Sequence, residues 1–513
     1  MKTVIKKIVV ILLFLSFSTA CDKSITEKED LQAFLPSSTD QQAANWKTVV
    51  LTNASEFAIA EPASVQSAEY KNELAQLKMT VSQLTDKQRE AVRYWSGGAT
   101  IRWNQIMREL VAKYNLPPYQ NEDGTYPIPS AANPLAYPLF PFANPPYAAR
   151  AYAYVSVAQY DALVAAWSYK FKYNRPAPSQ TDSSIQPLVP VSQLPSYPSE
   201  DAVIASVTLE LMKLLFPGEV DFLTQKAAEC KNYALWAGKN TISDLNAGEV
   251  LGKAVAQKVI TRARADGAGQ AVGNPELWKA LETNTSAKGE IAWKSLETPE
   301  RPPMLPNFGK VKTWTFGAEE VIKLRPEPPP STNSAQMKQE LEEVKWYADN
   351  LTAERRKIVH FWADGAGTYT PPGHWNAIAT DLIVKEKMSE MRTARTFVLL
   401  NMGLMDAAVC CWDTKNYYFN PRPSQLDKSI KTGTGVPNFP AYTSGHSTFS
   451  GCAANILGYI FPSENSTLQK MAEEASMSRL YGAIHYRSDC TVGLRCGRNI
   501  GDYAIKTGKI LGE

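Results

Sequence analysis

Apolar residues recur at three- and four-residue spacing through 85–112, 148–169, 201–215, 221–238, 246–263, 336–362, 374–412, 446–460, 466–484 and 490–510. That is the period of a helix with one buried face, so the pattern predicts an all-α chain. Prolines gather between these stretches, at 117–146, 176–198, 302–330 and 421–440, and mark loops.

The pattern also repeats. Sliding 160–219 by 245 positions onto 405–464 needs no gap, and Asp161, Trp167, Lys170, Pro176, Pro178, Ser179, Gln180, Asp182, Pro195, Tyr197, Ser199 and Phe216-Pro217 all recur. Upstream, Arg89, Val92, Trp95 and Gly98 match Arg356, Val359, Trp362 and Gly365 at an offset of 267, and Trp103-Asn104 matches Trp375-Asn376 after five extra residues. Two duplicated four-helix-bundle halves are therefore expected, over 81–264 and 336–513. Residues 265–335 are Pro- and Trp-rich with little periodicity and read as a connection wrapping the surface; 21–80 are polar and read as a tether.

Composition adds bounds. With 513 residues and 44% hydrophobic content there is material for a large core. Lys2, Lys6 and Lys7 precede an apolar run from Ile8 to Phe17 and then Ser18-Thr19-Ala20-Cys21, which predicts a lipoprotein signal peptide over 1–20 and an acylated Cys21. Ser18 stands where such sites usually carry Leu. The chain is then exported and lipid-anchored at a bacterial envelope, in the periplasm or at the cell surface. No later run reads as a membrane span, so the lipid is the one expected membrane contact. A net charge of +3 gives no sign of a nucleic-acid partner. The remaining Cys230, Cys410, Cys411, Cys452, Cys490 and Cys496 match no metal spacing and read as buried free thiols.

The candidate chemistry lies in the second half. Ser444-Gly445-His446 stands at a predicted helix start, where unpaired N–H groups and the positive end of the helix dipole favour an anion. A Ser/Gly/His cluster alone is usually a cap. Here Lys415 and Arg422-Pro423 precede it, and Ser478-Arg479, His485 and Asp489 follow. A tetrahedral oxyanion needs several donors: Lys415 supplies a point charge, Arg422 and Arg479 planar forks, Ser444 and the Gly445 N–H neutral donors. His485 can attack phosphorus or coordinate vanadium through one ring nitrogen while Asp489, four residues on, holds the other. His446 remains as general acid or base.

The halves differ at these positions. Lys170 and Ser199 keep the places of Lys415 and Ser444, but Ala177, Glu200 and Asp201 stand at Arg422, Gly445 and His446. Matching Gln225-Lys226 to Gln469-Lys470 puts Leu235 at Arg479 and Thr241 at His485. The first half reads as a structural partner and the second as the active one.

Lys415 to Arg422-Pro423, Ser444-Gly445-His446 and Ser478-Arg479 to His485 to Asp489 together resemble the type 2 phosphatidic acid phosphatase and vanadium-dependent haloperoxidase superfamily, with Thr443 where its motif usually has Pro. Two bundles, Trp412 before Lys415, and Phe439-Pro440-Ala441-Tyr442 before Ser444 are similar to the haloperoxidase branch. The resemblance implies Trp412 and Phe439 in the substrate pocket. Phe361-Trp362-Ala363-Asp364-Gly365 is similar to a haloperoxidase segment that sets an acidic residue, here Asp364, near the acid/base His446. His360 and His374 fall outside the motifs and read as structural, with His374 able to approach as a secondary group. What the resemblance implies is oxidation of a halide by hydrogen peroxide at a vanadate bonded to His485. The alternative on the same residues is an acid phosphatase cleaving a phosphate ester through a phosphohistidine. A non-catalytic binding protein would fit a chain with a damaged site, and the second half carries every expected ligand.

Overall fold

The long apolar runs fold into helices whose ends are set by caps. The computed structural model describes residues 31–33, 35, 36 and 38–512; the signal segment and Cys21 lie outside these. In chain order the helices are α1 (Ala68–Ser82), α2 (Asp86–Trp95), α3 (Ala99–Tyr114), α4 (Pro145–Tyr173), α5 (Glu200–Leu215), α6 (Val220–Trp236), α7 (Ile242–Arg264) and α8 (Pro275–Ser286). Then follow α9 (Ala318–Leu324), α10 (Ala335–Asp349), α11 (Ala353–Phe361), α12 (Thr370–Lys385), α13 (Glu390–Tyr418), α14 (Gly445–Ile460), α15 (Asn465–Tyr481) and α16 (Arg487–Leu511). No strand occurs among the described residues.

Helices α4 to α7 pack as one bundle and α13 to α16 as another, and the long helices α4 and α13 lie against each other between them. From α4 on, the helix ends of the two bundles keep one spacing: Pro145 and Glu390, Glu200 and Gly445, Val220 and Asn465, and Ile242 and Arg487 each lie 245 apart. Helices α3 and α12 each pack on both long helices. A buried amide network fills the centre. Asn104 donates to Asn376 (2.8 Å), Asn376 and Asn401 bond reciprocally (2.7 and 2.9 Å), and Asn401 donates to Ser156 Oγ (2.9 Å). Pairing these amides offsets the penalty of burying them.

Three expectations are corrected. Residues 38–80 are not a free tether. Asp161 of α4 accepts the N–H groups of Val49, Val50 and Leu51 at 2.7, 2.7 and 3.0 Å, Asp40 holds Arg392 at 2.7 Å, and Tyr70, Leu74 and Leu77 of α1 are buried with Ile185. The connection over 265–335 contains α8 and α9, and Asp406 of α13 pins its Trp314 and Thr315 N–H groups at 2.7 and 2.9 Å. The stretch Glu390–Leu426 is long and apolar enough to cross a membrane, yet its most apolar part is wholly buried inside the protein. Burying Phe397, Leu399, Leu400 and Leu404 there contributes roughly 1.5–3 kcal/mol each.

Close approach of α14 and α16 positions the site. A Cβ at Gly497 would stand 2.1 Å from the Thr448 carbonyl oxygen, so only glycine allows this crossing. It brings the start of α16 against the start of α14, where the Ser444 N–H donates to the Asp489 carbonyl at 3.0 Å.

Candidate active site

Four segments meet. Lys415 comes from the last turn of α13; Arg422 follows the chain reversal at Phe419 (φ 48°). Ser444 caps α14, its Oγ accepting from Ser447 N at 3.3 Å, so Gly445 and His446 open the helix with free N–H groups. Arg479 ends α15, His485 lies in the short link after it, and Asp489 sits in the first turn of α16.

The buried cations are tied to backbone oxygens rather than to carboxylates. Lys415 Nζ donates to the carbonyls of Pro440 (2.8 Å), Ala441 (2.9 Å) and Thr443 (2.5 Å). Arg422 donates to Phe439 O (3.0 Å), Ile484 O (2.8 Å) and His485 Nε2 (3.0 Å), while its buried Nη2 has no partner. Arg479 donates to Ser478 Oγ (2.8 Å) and Val359 O (3.0 Å). Burial pushes Lys415 down to about 7 and both arginines down to about 10, and the nearby carboxylates, Asp489 for Lys415 and Arg422 and Asp364 for Arg479, repay only part of that desolvation.

His485 Nδ1 faces Asp489 Oδ2 at 2.8 Å, and that oxygen also accepts the Tyr486 N–H at 3.1 Å. Since Nε2 accepts from Arg422, Nδ1 carries the proton and donates to Asp489, leaving a lone pair on Nε2. Burial, then Arg422 and Lys415, hold His485 well below the ordinary histidine range. Burial raises Asp489, with Lys415 opposing.

The expected substrate-pocket and acid/base residues divide. Phe439 lies with its ring centre 5.1 Å from both Lys415 Nζ and Arg422 Cζ. Trp412 lies behind Phe439 rather than beside it: it is 1% exposed, its Nε1–H is spent on Met304 O at 3.0 Å, and its ring centre is 5.1 Å from that of Phe439. Asp364 is not hydrogen-bonded to His446. Its Oδ2 is 3.9 Å from His446 Nε2, and the carboxylate instead holds His374 Nδ1 at 3.0 and 3.2 Å. His374 also stacks on Trp362 at 4.5 Å. The sequence signal for this pair was only Pro372-Gly373-His374-Trp375; the left-handed turn at Asp364 (φ 44°), which aims the carboxylate back at α12, carries none. His446 Nε2 is buried without a partner, and burial followed by Arg479 holds the ring well below its usual range.

In the first half the constant spacing of 245 corrects the alignment after α5: Asn240, not Thr241, stands at the place of His485, and Ala234, not Leu235, at that of Arg479. Asp244 keeps the place of Asp489, and its carboxylate pairs with Arg175. Lys170 is neutralised by Glu200 at 2.8 Å, and Lys239 by Asp201 and Glu200 at 2.6 and 3.2 Å. These carboxylates occupy the place where the second half has Gly445 and His446.

A tetrahedral oxyanion such as vanadate or phosphate fits the second-half residues. Arg422 Nη2 lacks an acceptor, none of the three buried cations is ion-paired to a carboxylate, and a Cβ at Gly445 would meet nothing nearer than Phe449 Cε2 at 3.9 Å. Among the described residues no His/Cys/Asp/Glu cluster could hold a metal cation.

The PAP2 superfamily model matches residues 396–503. No curated protein sequence matches the chain. Among solved structures the fold is similar to a bacterial vanadium-dependent iodoperoxidase (TM-score 0.57, 22% identity, 87% of this chain and 97% of that one). It is also similar to a holo-type bacterial vanadium-dependent chloroperoxidase (0.52, 13%, 75% and 97%). Lys415, Arg422, Ser444, His446, Arg479, His485 and Asp489 all lie within the matched stretch, and residues 396–503 of this chain thus form a PAP2-superfamily domain on an all-helical fold shared with vanadium-dependent haloperoxidases.

Proposed function

We propose that this chain is a vanadium-dependent haloperoxidase-like enzyme. The observation that carries the reading is a buried set of three cations, none of them ion-paired to a carboxylate, beside a neutral His485 whose lone pair faces them. Lys415, Arg422, Arg479, Ser444 and the Gly445 N–H would hold vanadate, and His485 Nε2 would be its protein ligand. When bound, vanadate supplies activation of hydrogen peroxide toward a halide. Asp489 keeps the proton on His485 Nδ1, so Nε2 stays basic. His446, unprotonated in the buried site, accepts a proton from incoming peroxide at Nε2, and Asp364 at 3.9 Å stabilises the imidazolium that results. Phe439 closes the wall beside the cations and excludes water.

The test uses purified protein lacking residues 1–21 with orthovanadate, hydrogen peroxide and each halide, and a phosphate ester in parallel without vanadate. Vanadate-dependent halide oxidation that His485→Ala reduces to background is expected. Unchanged turnover in that variant would remove the assignment, and vanadate-inhibited ester hydrolysis without halide oxidation would make the same pocket a phosphatase.

A further inference from the structure

The link into each long helix differs between the halves. Residues 386–389 join α12 to α13, whereas 115–144 join α3 to α4. The longer loop is fastened to both walls of the candidate site. At its start, the Asn115 carbonyl accepts the Gly367 N–H at 2.7 Å, and its amide donates to Gly365 O and Thr368 O at 2.9 and 3.1 Å. That turn directly follows Asp364, the carboxylate facing His446. In mid-loop, Tyr126 Oη donates to Pro299 O at 3.0 Å, and Arg301 lies 5.7 Å from the same ring. The segment 302–304 is bonded in turn to Asn438, next to Phe439: Asn438 Nδ2 donates to Pro302 O at 2.7 Å and Met304 N to Asn438 O at 3.1 Å. The loop thus runs from the His446 side to the Phe439 side.

Its surface is unusually apolar. Leu116, Tyr119, Ile128, Leu135 and Tyr137 are 59%, 82%, 72%, 72% and 60% exposed. Single exposed apolar residues are ordinary, but with Leu139 at 43% there are six on this one loop, a concentration that points to a binding surface. Tyr119 and Tyr137 are already stacked, ring centres 6.3 Å apart and 15° from parallel, with the Tyr119 N–H donating to Tyr137 Oη. A pair held in this way loses little further freedom when a ligand packs on it. Between 115 and 144 there is no Lys or Arg, and Glu122 and Asp123 are the charges present. A membrane-adsorbing surface draws on basic residues, so the composition favours a small uncharged ligand.

We propose that the 115–144 loop, built around the Tyr119–Tyr137 stack, is a docking ledge that holds an uncharged aromatic substrate at the mouth of the His446/His485 site. The proposal rests on the enzyme reading for the word substrate; binding by the ledge does not.

The test is a triple variant, Tyr119→Ser with Leu135→Ser and Tyr137→Ser, compared with wild type and with Val250→Ser, another exposed apolar residue. The probe is 2-naphthol, titrated by fluorescence into the purified protein without vanadate, with sulfate binding measured alongside. Expected is a naphthol Kd weaker by about tenfold in the triple variant alone, with sulfate affinity and melting temperature unchanged. In turnover, the KM for naphthol should rise by the same factor while halide oxidation without naphthol is unaffected. Equal naphthol affinity in all three proteins would overturn the ledge. So would phosphatidylcholine-vesicle binding or dimerisation that the triple variant loses in place of naphthol binding. Should halide oxidation never appear while the naphthol contrast persists, the activity reading falls and the ledge stands.

Discussion

Lys415 illustrates how a single buried side chain ties the site to pH. Its pKa is held at about 7 by burial, so the empty site loses this charge as pH rises through 7. A bound dianion favours the protonated form and raises that pKa. Anion binding therefore takes up a proton above pH 7, and affinity falls as pH rises, by at most about tenfold per unit. Sulfate keeps its charge over this range, so calorimetry of sulfate binding between pH 6 and 9 should show a plateau and then a decline. At the opposite wall, Asp489→Asn removes the carboxylate that fixes the His485 tautomer. Affinity for vanadate or turnover should fall by about 10–100-fold, read by kinetics at saturating peroxide. The residue types needed for both effects were legible in the sequence because charge and hydrogen-bonding capacity belong to the side chain itself. What could not be read was the hydrogen-bond partner: Asp364 stands 3.9 Å from His446 but spends its hydrogen bonds on His374, because the turn that aims it depends on backbone conformation.

Helices were legible wherever one face stayed buried, and their interruptions were not. The run 336–362 breaks between α10 and α11, and 374–412 between α12 and α13, although apolar spacing continues across each gap. The signals were the caps, Thr352 accepting from Arg355 N and Ser389 from Arg392 N, each contributing about 1 kcal/mol. Residues 38–80 were misread because their partners are remote: a polar segment gains order when a buried carboxylate such as Asp161 collects three of its N–H groups. Burial raises Asp161 and Asp406 to about 6 in the folded protein. The folded state then holds protons that the unfolded chain has released, so this contribution to stability is full below pH 3.8 and is lost as pH rises through about 6. Denaturant midpoints across that interval should show the decline, and Asp406→Ala should abolish the Asp406 share. That variant should also cost about 1–3 kcal/mol for each of the Trp314 and Thr315 N–H groups left unpaired. At the α14–α16 crossing, Gly497→Ala should destabilise by about 1–3 kcal/mol through overpacking against Thr448, read as a lower melting temperature.

The two bundles share helix spacing and differ in charge. In the first, lysines meet Glu200 and Asp201; in the second, Gly445 and His446 leave the equivalent positions without a carboxylate. Titration with sulfate should accordingly give one site per chain, and a stoichiometry of two would contradict the neutralised first half.

Lys170 Nζ donates to Pro195 O at 2.7 Å in the first half, as Lys415 Nζ donates to Pro440 O in the second. A lysine at this place is thus an architectural brace before it is an anion ligand. The molecule contains its own reference for separating those roles: in a background where Glu200 is also replaced, so that no buried carboxylate is left unpaired, the folding penalty of losing the brace can be read at Lys170 and subtracted from the effect of losing Lys415. Natural variation at the first position would report selection for a foldable chain, and at the second the same pressure plus the demand for activity.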